Sequence, residues 1–191
     1  MRRILLGLTL TAMLLCGAGQ LFATEITYTE QAVASGTLGG TSFTNALVTI
    51  QLVGNTANVT GSSGLFTNSV GTFDVTVAGI GSTVFTDSML VFDNQNVDRA
   101  GFADVSANGA VLTTTDGAFA TYTLTTAIGP ITGAAFIRPD LSFNTGLGLL
   151  NIASSGESTF TATVPEPTSL LLLGSGLFGF GRFRRKCGKR V

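Results

Sequence analysis

Between residues 24 and 164 the groups able to do chemistry are almost all carboxylates: Glu25, Glu30, Asp74, Asp87, Asp93, Asp98, Asp104, Asp116, Asp140 and Glu157. The only bases in that stretch are Arg99 and Arg138, so it carries a net charge of −8. The 191-residue chain has no His, and its two Cys, Cys16 and Cys187, lie near its ends. Ser-His and Cys-His nucleophilic catalysis and ordinary zinc ligation are thereby removed. The absence of Lys from the same stretch removes Schiff-base and Ser-Lys mechanisms as well. What remains is carboxylate chemistry, such as the acid pair of a glycosidase. Ten scattered acids are more simply the solvated surface of an exported domain. The expectation is a non-enzymatic protein without a cofactor.

The densest polar run is Asp93-Asn94-Gln95-Asn96-Val97-Asp98-Arg99. Side-chain oxygens of Asp93, Asn94, Asn96 and Asp98 make it a weak candidate for Ca²⁺, a hard ion that takes oxygen ligands. It is not an EF-hand loop: Gln95 and Val97 occupy the third and fifth positions, and Asp98 stands where Gly belongs. Asx-turn chemistry with a local Asp98–Arg99 charge pair accounts for the same residues without a metal. Gly174-Ser175-Gly176-Leu177-Phe178-Gly179 matches G-x-G-x-x-G, but that loop needs a strand before it and a helix after it, and this one lies inside an apolar run.

Two partner classes follow from surface chemistry. An acidic, Lys-free domain repels phosphate backbones, so nucleic acid is not an expected partner. Carbohydrate sites favour aromatic platforms with polar tips; this domain has no Trp, only Tyr28 and Tyr122, and ten Phe suited to a core. A carbohydrate- or calcium-binding adhesion module is the alternative reading.

The elements that must position these residues fall into four segments. Arg2 and Arg3 precede the apolar run Ile4 to Cys16, too short to span a bilayer and arranged as a secretion signal over residues 1–23, with cleavage expected after Ala23. Leu15 before Cys16 argues against lipid attachment at that cysteine. Residues 24–163 form an acidic β-rich extracytoplasmic domain, followed by a tail over 164–187 and a basic end over 188–191. Alternation at Ile26 to Thr29, Ala46 to Leu52, Phe73 to Val77, Met89 to Phe92, Ala118 to Leu124 and Ser158 to Thr163 predicts strands. Gly39-Gly40, Gly54-Asn55, Gly61 to Gly64, Asn108-Gly109 and Asp116-Gly117 predict the turns between them. Gly146 to Ile152 is read as strand over short helix. The fold class is all-β: a single antiparallel β-sandwich or barrel-like domain, flanked by an N-terminal signal helix and a short C-terminal apolar helix.

At Val164 the composition changes to Val164-Pro165-Glu166-Pro167, then an apolar stretch from Thr168 to Gly181, then Arg182, Arg184, Arg185 and Lys186. Two prolines one residue apart continue neither a ladder nor a helix and make a stiff, accessible hinge. An apolar helix of that length reaches roughly 21 Å against a hydrocarbon core of ~30 Å, a short span, and the basic cluster would hold its end on the cytoplasmic side. In this order the tail resembles the PEP-CTERM family of Gram-negative exported proteins, over about Val164 to Lys186 and no further. The resemblance implies recognition of Pro165, Glu166 and Pro167 by an exosortase-type processing enzyme, with Arg182, Arg184, Arg185 and Lys186 as the basic stop. It also implies transient anchoring in the inner membrane by the C-terminal helix, delivery to the cell surface or extracellular matrix, and association with exopolysaccharide and biofilm systems.

Overall fold

The computed structural model describes residues 24–106 and 109–165. The signal segment, Glu166, Pro167, the apolar stretch and the basic cluster lie outside the described residues. No helix among the described residues is long and apolar enough to cross a membrane.

The described chain is antiparallel β-structure with two single 3-10 turns, Thr56–Asn58 and Gly117–Thr121. It opens with two long strands, β1 (Glu25–Leu38) and β2 (Thr41–Asn55). In β1, Ile26, Tyr28, Glu30, Ala32 and Ala34 point inward, and β2 answers with Val48, Ile50 and Leu52. This is the period of two that a sheet with one solvated face imposes. Gly39 and Gly40 join them with φ of 58° and 81°, the left-handed pair that a two-residue hairpin demands.

Ten more strands complete the sheet: β3 (Thr60–Ser62), β4 (Leu65–Asn68), β5 (Thr72–Val77), β6 (Gly81–Val84), β7 (Met89–Asn94), β8 (Arg99–Asp104), β9 (Gly109–Thr115), β10 (Ile128–Phe136), β11 (Phe143–Thr145) and β12 (Gly148–Thr163). Their spatial order is β3-β4-β7-β8-β9-β10-β12-β1-β2-β5-β6, with β11 paired to β12. The expected sandwich or barrel is thus one continuous sheet curled into a half-barrel. Strand β10 makes this possible by serving two neighbours. Its first part pairs with β12 (Ile131↔Phe160, Thr132↔Thr159) and its last three residues with β9 (Ala134↔Thr115 to Phe136↔Thr113).

Curling brings the two halves face to face. Phe73 of β5 meets Phe102 of β8 edge-on at 6.2 Å between ring centroids. Phe160 of β12 stacks edge-on against Phe119 at 5.6 Å and Tyr122 at 6.1 Å. The segment carrying these last two rings corrects one sequence expectation. Ala118 to Leu124 is not a strand: the Asp116 side chain accepts a hydrogen bond from Ala118 N at 2.8 Å and caps a 3-10 turn. Phe119 and Tyr122, three apart, then face the core while Ala118 and Ala120 face solvent. Gly146 to Ile152 is extended, as read, but broken by a tight turn at Gly146-Leu147 between β11 and β12.

Candidate functional site

The last strand delivers the tail. β12 is held through Thr163 by pairing with Thr27 of β1. Val164 is half-buried against the core, and Pro165, which has no N–H to give a ladder, is the first exposed residue beyond the sheet. β1 starts beside it, antiparallel, and Thr24 is tied down at its entry: Thr24 N donates to Thr56 Oγ1 at 3.2 Å and Thr56 N to the Thr24 carbonyl at 3.0 Å. The residue after the expected signal cleavage at Ala23 and the first residue of Pro165-Glu166-Pro167 therefore lie at the same end of neighbouring strands. Ala23, Glu166, Pro167, Arg182, Arg184, Arg185 and Lys186 themselves fall outside the described residues.

A family model described as the PEP-CTERM protein-sorting motif matches residues 163–186. The chain carries a PEP-CTERM sorting motif. It begins on the final residue of β12, so the motif and the fold abut with no intervening linker. No curated protein and no solved structure matches the chain. A PEP-CTERM motif marks an exported protein that passes through the membrane toward the cell surface and is processed by an exosortase-type enzyme.

The polar run upstream of this junction is divided between the core and the surface. Asp93 follows Met89 and Val91 on the inward face of β7 and is fully buried. Neither of its oxygens has a hydrogen-bond partner among the described residues. Burial, with a smaller contribution from the Asp98 charge, pushes its carboxyl up to about 7. Asn94 faces the other way, and its Oδ1 accepts from Asn96 N at 3.1 Å, closing an Asx turn. Asn96 Nδ2 donates to the Ser63 carbonyl at 3.2 Å, tying this turn to the β3–β4 hairpin. Asp98 sits at φ 50°, and its carbonyl accepts from Asp116 N at 2.9 Å. Asp93 and Asn94 thus lie on opposite faces of β7, while Asp98 is near enough for its charge to act on the Asp93 carboxyl. Among the described residues no three Asp, Glu, His or Cys gather as a metal cage. Arg99 turns away from the expected local pair with Asp98: its guanidinium lies over the Phe136 ring at 4.3 Å, and Nε donates to Thr115 Oγ1 at 3.1 Å.

Two other features bear on binding. Tyr28 is fully buried, its hydroxyl donating to the Leu124 carbonyl at 2.6 Å, and Tyr122 is nearly so, donating to the Thr126 carbonyl at 3.0 Å. Burial raises both phenols above their ordinary value, Tyr28 to about 12. Both are core residues with satisfied polar tips. An open depression of ≈ 590 Å³ lies between β5, β6 and β7, with Phe73, Phe85 and Met89 at its base. Its carboxylate, Asp87, is already engaged: Oδ2 accepts from Asn144 N at 2.6 Å and Oδ1 from Asn144 Nδ2 at 2.8 Å.

Sequence reasoning gave no role to Glu30, which is fully buried in a side-chain network with Thr114 and Ser158. A signal was present: Glu30 occupies the same alternation parity as Ile26 and Tyr28. What the sequence does not contain is the pairing that brings β9 and β12 to it.

Proposed function

We propose that this chain is a non-enzymatic structural component of the cell envelope or extracellular polysaccharide matrix, held transiently in the membrane by its tail and released by cleavage at Pro165-Glu166-Pro167. The observation that carries this reading is the junction. β12 is complete at Thr163, and Pro165 is exposed two residues later. An exosortase-type enzyme cutting beyond Pro165 therefore leaves every described strand paired. The lack of His, Cys and Lys in residues 24–164 supports a role in bulk material over one in catalysis. Intact-mass measurement on protein from the native host tests the proposal. The expected mass lacks Arg184 to Val191, and regains them when the exosortase is deleted. A cell-associated protein that keeps Arg184 to Val191 in the wild-type host would overturn it.

Adhesion to polysaccharide is a second reading, favoured by the outer face of the sheet. Register aligns Thr132, Thr159, Gln31, Thr49, Thr76 and Ser82 in one transverse row across β10, β12, β1, β2, β5 and β6. Strand spacing sets these groups about 4.8 Å apart. Several are linked sideways: Thr132 to Thr159 at 2.8 Å, Gln31 Nε2 to Thr49 Oγ1 at 3.0 Å, and Thr76 to Ser82 at 2.7 Å. An uncharged row of five hydroxyls and one amide suits a neutral polyol better than an ionic ligand. Co-sedimentation with insoluble polysaccharide distinguishes the two readings: binding that Thr49→Lys with Thr159→Lys abolishes supports adhesion, and no binding leaves the structural role.

A further inference from the structure

Where the two halves of the curled sheet face each other, the seam is closed by a carboxyl group that sorting does not use. Glu30 Oε1 on β1 lies 2.5 Å from Thr114 Oγ1 on β9. Thr114 Oγ1 lies 2.7 Å from Ser158 Oγ on β12, and Ser158 Oγ lies 2.9 Å from the Thr113 carbonyl oxygen. All three side chains are fully buried. Three hydrogen bonds in series need three hydrogens, and the two hydroxyls supply one each while the carbonyl supplies none. With one hydrogen on each hydroxyl, all three contacts are hydrogen bonds at once when Glu30 carries the third.

We propose that Glu30 is a neutral carboxylic acid that donates to Thr114, which donates to Ser158, which donates to the Thr113 carbonyl, and that this relay is a proton-dependent latch between the two halves of the domain. Removing the proton reverses the relay. Thr114 then donates to the carboxylate and Ser158 to Thr114, which leaves the buried Thr113 carbonyl without the Ser158 hydrogen. Glu30 Oε2, which has no partner among the described residues, would then share a charge inside the core.

Among the described residues nothing around Glu30 neutralises that charge. Glu30 pairs with Ile50 on β2 and Phe160 on β12, and neither β2 nor β9 contains an ionisable side chain. On β12 the one acid, Glu157, is exposed, next in sequence to inward-facing Ser158. On β1 itself Tyr28 shares the inward face and is neutral, and Glu25 is exposed. Arg99 is over Phe136, and Arg138 pairs with Asp140 at 2.7 Å. Burial accordingly raises the Glu30 carboxyl from 4.5 to about 8, against a smaller opposing pull from Thr114 and Ser158.

Because the folded state binds this proton more tightly than the unfolded chain, the latch is fully stabilising below pH 4.5 and weakens as pH rises toward about 8. Over that window the folding equilibrium falls about tenfold per pH unit for one such proton. Asp93, raised from 3.8 to about 7, adds a second proton to the same slope, so the test is done in an Asp93→Asn background.

Two measurements on the full chain in detergent decide it. Infrared spectroscopy at pH 7 should show one protonated-carboxyl C=O band in Asp93→Asn, lost in Asp93→Asn with Glu30→Gln. Urea unfolding of the double variant should match Asp93→Asn at pH 5 within about threefold in the folding constant and lose about tenfold per unit of its alkaline slope. Gln keeps the relay because its amide N–H replaces the acid O–H. Absence of the infrared band from Asp93→Asn at pH 7, or an unchanged slope in the double variant, overturns the proposal; the infrared result stands even if the double variant does not fold.

Discussion

Asp93 and Glu30 are both acids buried on inward strand positions, and they differ in what their oxygens touch. Glu30 Oε1 is bonded, whereas Asp93 has two oxygens without a partner among the described residues. A buried polar group left unsatisfied costs about 1–3 kcal/mol, more when charged. Asp93→Val, apolar, β-branched and similar in size, is therefore expected to stabilise the protein by that order. The gain should grow with pH, because the wild-type Asp93 proton is retained at increasing cost between 3.8 and about 7. Urea unfolding at pH 5 and pH 8 reads this directly, and an equal gain at both would show that the proton is irrelevant. Tyr28→Phe has the opposite sign. It strands the Leu124 carbonyl, now bonded at 2.6 Å in the core, and should cost about 1–3 kcal/mol in the same assay. At this scale the sequence was half legible. Alternation places Glu30 inward with Ile26 and Tyr28, and Asp93 inward with Met89 and Val91. It says nothing of Thr114, 84 residues from Glu30, because a long-range contact depends on which strands curl together.

At the scale of elements, local chemistry that was readable is also where single changes have definite outcomes. Gly39 at φ 58° would carry a Cβ only 2.2 Å from the Leu147 carbonyl oxygen, whereas Gly40 at φ 81° would meet nothing within 4 Å. Both alanine variants incur the left-handed backbone cost of about 1–2 kcal/mol. Only Gly39→Ala must also push the β1–β2 hairpin away from the β11–β12 turn. Thermal melts should rank Gly39→Ala well below Gly40→Ala, and equal losses would mean the two hairpins do not press on each other. The Gly39-Gly40 turn was visible because its residue types encode its geometry. Ala118 to Leu124 misled for a physical reason: its small and aromatic residues fit alternation on paper, but the Asp116 cap favours a turn whose buried rings are three apart. β10 escaped notice because Gly129, Pro130 and Gly133 interrupt the apolar pattern in the very strand that bridges both halves.

For the whole molecule, the consequential fact is that the C-terminal strand lies in the interior of the sheet, between β10 and β1. A chain synthesised from its N-terminus cannot complete this fold until β12 emerges, and β12 is directly followed by the sorting motif. Fold completion and tail delivery thus coincide, and the permissible cleavage sites are narrow. A chain ending at Pro165 keeps the full ladder to β1 through Thr163 and the half-buried Val164. A chain ending at Gly156 loses Ser158 from the Glu30 relay, Ala162 from the core, and Phe160 from its contacts with Tyr28, Phe119 and Tyr122. Truncating a buried Phe alone costs about 3–5 kcal/mol, against a total stability of about 5–15 kcal/mol for a typical domain. The shorter chain is expected to be unfolded by circular dichroism, while the chain ending at Pro165 melts with the cooperativity and midpoint of the full-length protein. A folded domain ending at Gly156 would mean that β1 and β10 can close the sheet without β12, and the boundary between domain and tail would then lie upstream of Thr163.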